Sequence, residues 1–177
     1  KVHYAAFSTA EESVPKGFPK DILKTEVREA TAALKIPSDN LFLYDYEVRK
    51  LNYSRQSVLE DLVHLKNTLC PDLVFMPSLH DIHQDHSTIA EEGLRAFKYN
   101  TLLGYELLWN NLQFNTQCFI RLEKSHLQCK VDALMAYGSQ KGKDYMSQEF
   151  IFSLAKTRGV QIGAEFAECF EVIRWVV

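Results

Sequence analysis

The stretch Pro71-Asp72-Leu73-Val74-Phe75-Met76-Pro77-Ser78, running on to His80-Asp81-Ile82-His83-Gln84-Asp85-His86, decides the fold and locates the chemistry. Leu73 to Met76 is a four-residue apolar run set between Pro-Asp and Pro-Ser. Such a run reads as a short strand buried on both faces, as in a parallel sheet. A helix is expected from about His86 to Phe97, with Asp85 placed to cap its start. His80, Asp81, His83, Asp85 and His86 therefore lie together where a strand ends and a helix begins.

Outward from this point the chain alternates. Val2 to Phe7 reads as a strand and Ser13 to Lys20 as a loop. Asp21 to Leu34 carries Ile22, Leu23, Val27, Ala30 and Leu34 at helical spacing. Pro37 and Asn40 end that element, and Leu41 to Tyr44 forms a strand. Ser54 to Leu69 is a second amphipathic helix, with Ser54 as its N-cap. Beyond the decisive stretch, strands are expected near Leu102 to Leu107 and Gln117 to Leu122. Helices follow at Lys124 to Tyr137 and Gln148 to Arg158, and Ala167 to Arg174 closes as a strand. This alternation predicts a three-layer, Rossmann-like α/β fold with a mostly parallel sheet.

In such sheets ligands bind beyond the carboxyl ends of the strands. Three loops meet that condition: the one after Phe7, the one after Phe75-Met76, and the one after Tyr105-Glu106. The second holds five potential metal or proton-transfer side chains within seven residues. Imidazole nitrogen and carboxylate oxygen suit Zn²⁺ in an open catalytic site. His83 and His86, three apart, face one cavity if the helix starts between them. Neither completes a zinc site alone, since a catalytic zinc usually has three protein ligands. His3 within a strand, His64 within a helix and His126 at a helix start read as core or surface residues. A polar turn with a cap is the plain alternative for an Asp/His-rich loop; the density of the cluster at this position favours chemistry.

Composition narrows the class. The chain of 177 residues is 46% hydrophobic and 24% charged with a net charge of -3, which fits one globular domain. No basic run marks a nucleic-acid footprint. No apolar stretch approaches the ~20 residues of a membrane span. Cys70, Cys118, Cys129 and Cys169 form no Cys-x-x-Cys pair, which argues against a cysteine zinc site or a disulfide scaffold and points to a reducing cytoplasm. The loop after Phe7, Ser8-Thr9-Ala10-Glu11-Glu12, has no GxGxxG, which counts against a nucleotide-binding or methyltransferase Rossmann domain.

The Pro-Asp-apolar strand followed by Asp81-Ile82-His83-Gln84-Asp85-His86 resembles the second signature of the PIG-L/LmbE de-N-acetylases, in which His-Pro-Asp-His follows such a strand. Gln84 replaces the Pro. The helix from Glu26 to Leu34 is similar too, with Lys35 where a Gly is usual. Arg49, Tyr105-Glu106, Trp109-Asn110, Lys130, Tyr137, Ser139-Gln140, Tyr145 and the closing Ala167-Glu168-x-Phe170-Glu171 agree in order and spacing. The resemblance implies zinc-dependent hydrolysis of the acetyl group of an N-acetylated amino sugar conjugate such as an N-acetylglucosamine derivative. It implies that His86 is a zinc ligand. The zinc acts as a Lewis acid and lowers the pKa of its bound water.

The same resemblance implies that His83 stabilises the oxyanion or assists the leaving amine, and that Asp85 is a catalytic carboxylate orienting a neighbouring imidazole. Asp81, Arg49, Tyr105, Glu106, Trp109 and Asn110 are expected to meet the substrate. The family's remaining ligands and general base belong to an N-terminal His-Pro-Asp-Asp loop, which does not occur in these residues. Residues 1–177 are thus expected to be one de-N-acetylase-like domain without its first strand, metal loop and first helix. A catalytically silent domain that binds a sugar or a protein partner is the alternative. The sequence leaves oligomeric state open, a homo-oligomer included.

Overall fold

The computed structural model describes residues 1–177. The chain divides into two units, Lys1–Val48 with Arg121–Glu168, and Arg49–Ile120 with Cys169–Val177.

In the first unit the strands β1 (Tyr4–Ala6) and β2 (Leu41–Leu43) pair in parallel, Tyr4 opposite Leu41 and Ala6 opposite Leu43. Phe7 and Tyr44, just past the two strand ends, stack with ring centroids 4.7 Å apart. Between the strands runs α1 (Ile22–Ala33), whose Val27 and Ala30 are buried, as helical spacing expects. Its end explains the departure at Lys35. The amide of Ile36 donates to the Thr31 carbonyl and that of Lys35 to Ala32. This double closure needs a left-handed residue after the helix. Lys35 supplies it at φ 58°, where glycine is the low-strain choice.

The helices α4 (Lys124–Met135) and α5 (Gln148–Val160) complete this unit. Leu127, Val131, Ile151 and Ala155, each four apart along its helix, form one buried cluster with Leu122, Phe152 and Phe166 around it. Glu26 on α1 is also buried, and its carboxylate accepts from the Ser139 amide at 2.7 Å and the Ser139 hydroxyl at 2.6 Å. A buried carboxylate needs such donors. Burial first, then the neighbouring Tyr4 and Glu26, hold the Tyr137 phenol above its ordinary range.

Gly159 lies so close to the next turn that an added Cβ would sit 2.7 Å from the Ala164 carbonyl oxygen and 2.8 Å from that of Glu165. Both are backbone atoms and cannot swing aside. Gly159→Ala is therefore expected to lower unfolding free energy by about 1–3 kcal/mol. Urea unfolding checks this, and an unchanged midpoint would mean the turn is not closely packed.

The second unit holds α2 (Arg55–Leu69), β3 (Leu73–Pro77), α3 (Gln84–Ala96) and β4 (Thr101–Tyr105). Val58, Leu62 and Leu65 are the buried stripe of α2, which packs on α3. Ser54 precedes α2 but makes no side-chain cap. Strands β3 and β4 pair in parallel from Leu73 opposite Thr101 to Pro77 opposite Tyr105. The last strands are β5 (Cys118–Leu122) and β6 (Phe166–Arg174), each crossing the division between the units. The order is β3-β4-β6-β5, with β6 antiparallel to β4.

The class is α/β with mostly parallel pairing, as expected, although the strands form two sheets, of two and four strands. The burial of β3 needs correction. Met76 is buried, but Leu73 and Phe75 are 40% and 47% exposed. The strand is the edge of its sheet and alternates in and out, covered by α3 on one face.

Candidate functional site

The second unit alone carries every residue singled out for chemistry. The loop leaving β3 is fastened first at Ser78, which is fully buried. Its hydroxyl donates to the Glu171 carboxylate on β6 and accepts from the His80 amide at 3.1 Å. Glu171 also accepts from the Asn115 amide at 3.0 Å. One buried carboxylate thus ties the loop after β3 to the loop after β4. Gly104 makes room for this, since a Cβ there would lie 3.1 Å from the Ser78 Cα. Sequence reasoning assigned no role to Ser78 or Glu171. A carboxylate inside the otherwise apolar strand Phe170 to Ile173 was the available signal.

The two loops meet again farther on. Asp81 bridges Asn111 as an isolated antiparallel pair, and the Ile82 amide donates to the Asn110 carbonyl at 3.1 Å. Asn111 turns its own loop by accepting from the Leu107 amide at 2.6 Å. Held this way, the Asp81 side chain is 1% exposed. One of its oxygens accepts from the His83 amide at 2.8 Å, and the other lies 2.8 Å from His86 Nδ1.

His83 is the N-cap of α3, at extended φ -74° and ψ 123°. Its Nδ1 accepts from the Asp85 amide at 3.2 Å. The expectation that Asp85 caps this helix is therefore corrected: the imidazole does so. His86 lies three residues on, and the two ring centroids are 4.5 Å apart, as same-face helical spacing requires.

For neutral rings, these contacts assign opposite tautomers. In a neutral imidazole one nitrogen donates and the other accepts. His83 Nδ1 faces an N–H, so it is the acceptor and Nε2 carries the proton. His86 Nδ1 faces a carboxylate, so it carries the proton and Nε2 offers a lone pair. The side-by-side rings thus present one donor and one ligand atom. Asn110 Nδ2 at 3.4 Å from His86 Nδ1 adds only a contact at the limit of hydrogen bonding.

The two aspartates hold different partners. Asp81, read as a substrate contact, is buried and holds His86. Asp85, read as orienting an imidazole through its carboxylate, instead accepts from the backbone amides of Arg49 at 2.6 Å and Leu51 at 3.3 Å. Arg49 is brought beside the histidine loop in this way, and its side chain is exposed. Trp109 is 45% exposed, while Tyr105, Glu106 and Asn110 are half-buried. No group of three or more His, Cys, Asp or Glu is placed to hold a metal ion. One oriented imidazole is short of the three protein ligands of a catalytic zinc. These residues alone do not make a zinc site.

The second unit thus sets an aspartate-held imidazole, His86, beside a helix-capping one, His83, in the loop beyond a strand's carboxyl end, where open α/β sheets bind their ligands. Comparison gives the family. The family described as PIG-L: GlcNAc-PI de-N-acetylase matches residues 1–97, more than half of the 177. The chain belongs to the PIG-L family. No curated protein sequence matches it.

Among solved structures it is similar to N,N'-diacetylchitobiose deacetylase from Pyrococcus horikoshii (18% identity, 98% of this chain and 73% of that one, TM-score 0.77). It is also similar to the zinc-inhibited form of teicoplanin deacetylase Orf2 (13% identity, 94% and 84%, TM-score 0.72). GalB, the 4-carboxy-2-hydroxymuconate hydratase from Pseudomonas putida KT2440, is similar as well (15% identity, 99% and 85%, TM-score 0.71). At these identities the likeness fixes the fold, and a hydratase among them shows that this fold is not confined to deacetylation.

Proposed function

We propose that this domain takes part in hydrolysing the N-acetyl group of an N-acetylated amino sugar conjugate. The observation that carries the reading is the pair of opposed imidazoles, His83 held through Nδ1 by the Asp85 amide in the first turn of α3 and His86 held through Nδ1 by the Asp81 carboxylate, which leaves Nε2 of each for chemistry. The family match supports a de-N-acetylase role.

His83 is proposed as the catalytic donor. Its Nε2–H suits an oxyanion forming on the amide carbonyl, or the nitrogen of the departing amine. His86 is proposed as the residue facing Zn²⁺. The resemblance to the family supports that metal, and a relative of the same fold is described in a zinc-inhibited form. Arg49, Tyr105, Glu106, Trp109 and Asn110 are proposed to meet the sugar, whose hydroxyls suit Arg, Glu and Asn and whose apolar face suits Trp or Tyr.

No helix is long and apolar enough to cross a membrane. All four cysteines are free thiols, which supports a reducing, cytoplasmic setting. The second reading is a domain of the same fold that binds sugar without catalysis, and the lack of a three-ligand group favours it for these residues alone.

Acetate release from a panel of N-acetylhexosamine conjugates separates the two. The assay uses zinc-replete protein that carries a His-Pro-Asp-Asp loop together with this domain. Release that stops with a chelator and returns with Zn²⁺ is expected. No release from any conjugate, with zinc bound, would favour the binding domain.

A further inference from the structure

Glu171 lies on β6, directly opposite Gly104, and is buried. A carboxylate is costly there unless donors meet it, and an apolar side chain would pack the strand more cheaply. Its two oxygens take donors from two different loops. One accepts the Ser78 hydroxyl and the other the Asn115 amide at 3.0 Å. A hydroxyl has one proton. With that proton spent on Glu171, Ser78 Oγ is left as an acceptor and takes the His80 amide at 3.1 Å. The Ser78 carbonyl takes the Asp81 amide at 3.1 Å. Side chain and backbone of Ser78 thus shape the same turn, and that turn delivers Asp81.

The contacts close into a ring. From Glu171 they run to Ser78, through the turn to Asp81, across the bridge to Asn111, along the loop to Asn115 and back to Glu171. Asp81, on the far side of the ring, is the residue that holds His86 Nδ1 at 2.8 Å. His83 depends on no such closure, because its Nδ1 is met by the Asp85 amide two residues away.

We propose that Glu171 is a positioning residue: by closing this ring, it holds Asp81 against His86 and so sets which nitrogen His86 presents, acting through Ser78 and leaving His83 untouched. Its weight in catalysis rests on the hydrolytic reading; the ring and its effect on His86 do not.

Long-range ¹H–¹⁵N correlation of the imidazoles in zinc-free protein tests it. Ser78→Ala and Glu171→Ala are each expected to move His86 from its Nδ1–H form toward the mixed tautomers of an unheld ring, with His83 unchanged. The double variant goes no further than the stronger single, since a ring is opened only once. Gly159→Ala, which strains a turn in the other unit, is the control for lost stability and should leave both imidazoles as they were. A folded Ser78→Ala protein with a wild-type His86 signal would overturn the proposal, and so would a Gly159→Ala shift of equal size. Should Glu171→Ala fail to fold, Ser78→Ala decides alone.

In the acetate-release assay, Ser78→Ala is expected to lower kcat/KM about tenfold, the low end for losing support of a metal-facing imidazole. A wild-type rate in a variant whose His86 signal has moved would also overturn the proposal. If no conjugate is turned over by any form, the hydrolytic reading fails, and the spectra still judge the ring on their own.

Discussion

Replacing His86 by alanine is expected to remove acetate release and zinc together. The ring is held by a carboxylate that is almost wholly buried, so its free Nε2 is aimed before any ligand arrives. Loss of an outer partner of a metal-bound His costs about 10–100-fold in affinity or activity. Loss of the ring itself is expected to exceed that, so kcat/KM should fall by well over about a hundredfold. Asp81→Asn keeps the shape and takes away the charge that selects the tautomer, so it belongs in the ~10–100-fold range.

Metal analysis after dialysis gives the companion result. These 177 residues alone are expected to retain little zinc, having no three-ligand group. A form joined to a His-Pro-Asp-Asp segment is expected to retain about one ion per chain, and to lose it on His86→Ala. Stoichiometric zinc on the 177 residues alone would show that the ligands are misassigned.

His83→Ala is expected to separate the two imidazoles. The ring is not needed to hold His86, since Asp81 does that. Zinc content should therefore stay while kcat falls by about 10²–10⁴-fold, the usual weight of a positioned proton donor. The fall should appear in kcat and kcat/KM alike, because the donor acts where charge develops rather than on the bound ground state. His83 also caps α3, and loss of that cap is expected to cost about 1 kcal/mol of stability. Urea unfolding of the variant distinguishes this small loss from a collapse of the helix. Lost zinc in a folded His83→Ala protein would mean that this ring, too, is a ligand.

Much of this was legible in the residues. An apolar run between two prolines marks a strand, and helical spacing marks Val27 to Ala30 and Val58 to Leu65 whatever the tertiary context. The Asp/His loop stood out through density and position. The roles within it did not. Whether Asp81 or Asp85 reaches an imidazole depends on the bridge between Asp81 and Asn111, a pairing of two loops that no local spacing encodes. The cap at His83 was hidden because imidazole is not among the usual capping side chains. The exposure of Leu73 and Phe75 follows from α3 covering only one face of β3, and which faces are covered is a property of the whole chain. The Ser78–Glu171 contact spans 93 positions and is equally invisible locally.

The opposed tautomers of His83 and His86 can be read without substrate, by long-range ¹H–¹⁵N correlation of the imidazole rings near neutral pH, in zinc-free protein. The expected spectrum has the His86 proton on Nδ1 and the His83 proton on Nε2, with Asp81→Asn shifting His86 away from its Nδ1–H form and leaving His83 as it was. Both rings in the same tautomer, or a His86 ring indifferent to Asp81→Asn, would contradict the division of labour on which the hydrolytic reading stands.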